Sequence, residues 1–130
     1  MENKILYELP MFSALLSVSP EVEFKGRDVN ITLRGYDDDD NFYIVILKFY
    51  GVFEFRKTYS HFANHGKAYD RVLEIINSDR LQQLKLNNRQ LFNVLQNSST
   101  PLRHFNLLLD SYDTYNIICS GFEVIDDGFG

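Results

Sequence analysis

Four consecutive aspartates, Asp37, Asp38, Asp39 and Asp40, followed by Asn41, gather more potential ligand oxygens than any other run in the chain. Alternate oxygen-bearing side chains can open a calcium loop of the EF-hand type, and Asp37, Asp39 and Asn41 occupy its first, third and fifth positions. The sixth position of such a loop requires Gly for a sharp turn and the twelfth a bidentate Glu. Here those positions hold Phe42 and Lys48, so the match fails and no metal is expected. Adjacent carboxylates repel one another and need either a cation or full solvation, and the solvated tip of a hairpin is the simpler expectation. The functional one is a surface for a basic partner or for a loosely held divalent cation.

The histidines offer less. His61 and His65 in "HFANH" have the spacing of two zinc ligands on one helix face, but a zinc hydrolase of that pattern places Glu directly after the first His, and here Phe62 stands there. His104 lies in "LRHFN" beside Arg103, with no nucleophile nearby in sequence. Cys119, in "YNIICSGF", has apolar neighbours and reads as a buried, unreactive thiol. No Gly-rich loop precedes a helix to cradle phosphate. The expectation is a protein that is not an enzyme and carries no cofactor.

The elements that must position these residues are legible from periodicity. Val22 and Phe24, then Val29, Ile31 and Leu33, alternate with polar residues and are separated by Gly26, which predicts two strands around a turn. "NFYIVILKFY" is a continuous β-branched and aromatic run, as expected of a central strand covered on both faces. Gly51 predicts a bend before a further strand in "VFEFRKTY". Residues 69–77 fit two periods: Tyr69, Val72, Leu73 and Ile76 share a helical face, while "RVLEII" is a compact β-favouring run, and strand is the preferred reading. Ser78 or Asn77 then caps a short helix in "DRLQQLKL", and "NRQLFNVLQ" is a second helical candidate. After the break at Pro101, residues 102–109, a turn at "DSYD", residues 114–119 and "GFEVI" read as strands, ending in a frayed acidic tail. The expected fold is α+β: a mainly antiparallel sheet of six or seven strands with one or two short helices packed on it.

Composition sets the class. The chain has 130 residues and no internal repeat or linker, so one domain over 1–130 is expected, with 45% hydrophobic residues to fill its core. A net charge of −5 and the lack of a basic cluster argue against nucleic acid. No window is long and apolar enough for a membrane span. Glu8 and Pro10 interrupt the N-terminal run, so no signal peptide is expected and the cytoplasm is the default compartment.

The order of elements, from a "V.I.L" strand through a long hydrophobic hairpin to "NSDRLQQL" and "RHFNLLLDSYDTYNIICSGFEV", resembles small bacterial immunity proteins of polymorphic toxin systems and related domains. Phe105 opens a penultimate strand and Glu123 with Val124 lies in the last, as in that group. No functional residue is carried over from the resemblance. It implies a protein that binds and occludes a toxin or enzyme. The surface expected to do so comprises Asp37, Asp38, Asp39 and Asp40, with Tyr112 and Tyr115 of "SYDTY" as exposed aromatics. The alternative is a small homo-oligomeric assembly protein whose apolar face is completed by a second copy.

Overall fold

The computed structural model describes residues 2–59, 70–90, 101–109 and 113–129. In chain order these form β1 (Glu2–Glu8), a 3₁₀ turn (Ser13–Leu15), β2 (Glu21–Lys25), β3 (Asp28–Tyr36), β4 (Phe42–Tyr50), β5 (Glu54–Tyr59) and β6 (Arg71–Ile76). They continue as α1 (Asp79–Asn87), β7 (Arg103–Leu108), β8 (Asp113–Cys119) and β9 (Gly121–Phe129). The α+β class and the dominance of antiparallel sheet hold. The strand count does not: nine strands among the described residues form two sheets, ordered β1-β6-β7-β8-β5 and β2-β3-β4-β9, with every neighbouring pair antiparallel.

Alternation decides which face each strand buries. Val29, Ile31 and Leu33 of β3 lie opposite Phe49, Leu47 and Val45 of β4, and all six are buried on the inner face of the four-stranded sheet. Val72, Phe105, Leu107, Tyr115, Ile117 and Cys119 answer from the five-stranded sheet, and the two sets form one core. Aromatic rings close the gap between the sheets. Phe105 of β7 lies 6.0 Å from Phe49 and 5.6 Å from Phe122 of β9, and Phe24 of β2 meets Phe55 of β5 edge to face at 5.4 Å.

A second, smaller cluster lies on the other side of the five-stranded sheet, where α1 packs Leu81 and Leu84 against Phe53, Leu102 and Ile118. Ser78 caps α1 as expected, its hydroxyl accepting from the Leu81 amide at 3.1 Å. The "NRQLFNVLQ" candidate falls largely outside the described residues. Residues 71–76 are a strand. Their ambiguous pattern has a physical cause, since Val72 feeds the main core while Leu73 and Ile75 are buried on the opposite face.

Two further differences stand out, while the bend expected at Gly51 is present. β4 was expected to be covered on both faces, but only its inner face enters a core cluster; Phe42, Ile44 and Ile46 of the outer face are half-buried and belong to neither. The acidic tail is not frayed through 129, because β9 continues to pair with β4, reaching Tyr43 opposite Phe129. Gly51 bends the chain with φ at +59°, and a Cβ there would come within 2.8 Å of Ser120 Oγ. No helix among the described residues is long and apolar enough to cross a membrane.

Candidate functional site

Tyr36 and Phe42 are the last paired residues of the β3–β4 hairpin, so residues 37–41 form its tip. Asp37 organises that tip. Its Oδ1 accepts from the amides of Asp39 and Asn41, each at 2.9 Å, and its Oδ2 accepts from the Asn41 side chain at 3.1 Å and the Tyr43 hydroxyl at 3.3 Å. This is an Asx turn, in which a short carboxylate replaces a backbone acceptor. Desolvation pushes the Asp37 pKa up, but the hydrogen bonds from Asn41, Asp39 and Tyr43 outweigh it and hold the group below its ordinary value. Asp40 completes the turn at φ +62°, in the left-handed region that Asp tolerates better than most residues.

The four aspartates therefore divide. Asp37 is half-buried and spends its carboxylate inside the turn, whereas Asp38, Asp39 and Asp40 are exposed. One carboxylate oxygen from each of Asp37, Asp38 and Asp39 lies within 4.8 Å of the others. The remainder of a calcium loop is missing, since Phe42 already begins β4 and Lys48 sits on the outer face of the same strand.

Apolar side chains flank the tip. The chain after β1 runs beside the end of β3, with the Phe12 amide donating to Tyr36 O at 3.2 Å and the Ser17 amide to Arg34 O at 2.8 Å. The approach is close at Gly35, where a Cβ would meet Leu16 Cδ2 at 2.9 Å and Leu15 O at 3.0 Å. Phe12, Leu15 and Tyr36, at the end of β3 that leads into the tip, are left 46%, 45% and 41% exposed, and the Tyr36 ring leans on Phe42 at 5.1 Å. Sequence reasoning missed this apolar collar. Tyr36 and Phe42 lie directly opposite each other, so both rings share one face of the sheet.

Tyr115, expected to be exposed and to join the acidic surface, is buried. It shares the core-facing parity of β8 with Ile117 and Cys119, is 2% exposed and packs its ring 5.7 Å from Phe55. Burial, with a smaller contribution from Asp113, raises its hydroxyl pKa to about 12. Tyr112 lies outside the described residues, as do His61 and His65. Cys119 is buried as expected, and desolvation lifts its thiol pKa to about 12.

His104 has acquired neighbours that its sequence context did not show. Ser78 Oγ lies 2.5 Å from its Nδ1, and Asn116 Oδ1 lies 2.9 Å from its Nε2 and also accepts from Asn106 Nδ2 at 3.1 Å. A hydroxyl, an imidazole and an orienting amide in line resemble a nucleophile and its base. The Ser78 hydroxyl, however, is the cap of α1 and is 2% exposed, so the chain of bonds fastens the helix to the sheet. A cavity of about 280 Å³ adjoins it, lined by Ser78, Leu81, Lys85, Leu102, Arg103 and His104 among others. Across its rim, Arg103 donates two bonds of 2.8 Å to Glu74 and holds that carboxyl below its usual pKa despite desolvation. Family models, curated proteins and solved structures contain no match to this chain.

Proposed function

We propose that the protein is a non-enzymatic binding module that engages a protein partner through the β3–β4 hairpin tip, with an immunity or inhibitor role in which it occludes a toxin or enzyme. One observation carries this reading: Asp38, Asp39 and Asp40 are exposed on a turn locked by Asp37, and that turn follows directly on exposed Tyr36, whose carbonyl accepts from the amide of exposed Phe12. A turn already ordered costs little entropy on binding, and apolar contacts beside unneutralised carboxylates suit a basic protein surface with apolar ground between its charges. Such surfaces surround the active sites of enzymes that handle phosphate. The compartment that goes with this reading is the cytoplasm.

The test is a pull-down from host lysate with the wild-type protein and with a variant carrying D38N, D39N and D40N while Asp37 is kept. A specific protein recovered by the wild type and lost by the variant is the expected result. Equal recovery by both would remove the tip from the interface.

A further inference from the structure

β4 carries apolar residues on both of its faces, and only one has been used. Its inner residues Val45, Leu47 and Phe49 fill the core. Its outer residues Phe42, Ile44 and Ile46 are joined on the same face by Tyr36 of β3 and by Ile125 of β9, which lies opposite Ile46. None of these five belongs to either core cluster; Tyr36 is exposed, and Phe42, Ile44, Ile46 and Ile125 each keep part of their surface open. A strand that needs a solvated outer face places polar residues there. The ladder instead runs Phe42, Ile44, Ile46 before the first charge at Lys48.

The rim of this face is charged, and its balance is uneven. Arg34 pairs with Glu21 across β2 and β3, and Lys25 pairs with Glu23, so those charges cancel in place. What remains is Asp28 and Glu123 on the strands and Asp38, Asp39 and Asp40 at the hairpin end, against Lys48 and, at the β2–β3 turn, Arg27: five carboxylates and two cations, a surplus of −3. An apolar centre inside a charged rim is the anatomy of a protein interface. The sign of the rim chooses the occupant. A second copy would bring the same surplus against itself, whereas a surface with Lys or Arg around aliphatic side chains would complement it.

We infer that the outer face of the β2-β3-β4-β9 sheet, centred on Ile44, Ile46 and Ile125, is a docking surface for a protein presenting an apolar centre ringed by basic residues. The inference rests on the reading of the chain as a binding module and extends its interface from the hairpin tip over the sheet. Titration of the isotope-labelled protein with a synthetic amphipathic peptide of Lys and Leu, beside a peptide with Glu replacing each Lys, tests it by NMR. Saturable shifts at residues 36, 42, 44, 46 and 125 with the Lys peptide alone are expected. I46T and I125T together should weaken binding about tenfold, and both substitutions keep a β-branched side chain so that the strands persist.

Shifts confined to residues 37–41 that survive I46T and I125T would overturn the sheet-face inference while leaving the hairpin-tip reading intact. Equal binding of both peptides, or none, would overturn it as well, and the pull-down would then judge the tip on its own. Concentration-dependent dimerisation abolished by I46T would make the occupant a second copy and refute a basic partner.

Discussion

Replacing Asp37 with Ala removes one carboxylate that accepts four hydrogen bonds, two from backbone amides, in a five-residue turn. D37A should lower the melting temperature by about 2–4 °C, whereas D38N, D39N and D40N should each leave it within about 1 °C. Thermal scans of the four variants decide between an organising residue and a uniform acidic patch. The Asp37 carboxyl is held below its ordinary value of 3.8 when folded, so its contribution is present above that value and fades as pH falls through and below it. Wild type and D37A should therefore converge in stability under acid. Cys119 and Tyr115 act at the other end of the scale. Both stay neutral in the core and ionise more readily once unfolded, so their contributions are intact below the ordinary values of 9.0 and 10.0. They decline as pH rises towards about 12. Denaturant midpoints should fall across that alkaline window, less steeply in C119A, and a thiol reagent at pH 8 should react with Cys119 only in the unfolded chain.

At the scale of elements, α1 is short and most of its residues are exposed, so its attachment depends on few contacts. Ser78 provides two of them, capping the Leu81 amide and meeting His104. S78A should cost about 1–2 kcal/mol, and a double-mutant cycle with H104A should show a coupling of about 1 kcal/mol, read from chemical denaturation. Additive effects would mean that cap and imidazole act independently. How far such features could be read in advance depended on the range of the interaction. The cap at Ser78 is local, as is the Gly51 bend, and both stand in the sequence as single residues in the right place. The Ser78–His104 contact spans 26 positions and follows from the pairing of β6 with β7, which no periodicity reveals. β1 gave no strand signal because it is an edge strand with a register shift between Ile5 and Tyr7, which breaks the alternation, and because Ile5 is left half exposed. Tyr115 is misread for a related reason: the strand over 114–119 is expected, but a tyrosine beside the polar turn reads as exposed, whereas this one shares the inward parity of Ile117 and Cys119. The aspartate tip was legible as a hairpin turn, but the division between Asp37 and its neighbours was not, because it depends on which carboxylate reaches the amides two and four residues ahead.

Across the whole molecule, the two sheets stand or fall together. Phe105 is fully buried, and its ring reaches Phe49 and Phe122 of the opposite sheet, so without that sheet the five-stranded one keeps only the small cluster under α1. The inner face of one sheet is the other's solvent shield, and a partly unfolded form with one sheet intact would expose Val29, Ile31, Leu33, Val45 and Leu47, or Val72, Leu107 and Ile117, to water. Unfolding should accordingly be a single transition, with tertiary signals from tyrosine and the backbone signal of both sheets lost at the same denaturant concentration. F105A removes the ring that bridges the sheets and should cost about 3–5 kcal/mol. If the sheets share one cooperative core, the variant will shift the whole transition to lower denaturant with its slope unchanged. A second transition, or a flattened slope in F105A alone, would mean that the β2-β3-β4-β9 sheet can persist without its partner. Its outer face would then be available to a binding partner even when the five-stranded sheet has come apart.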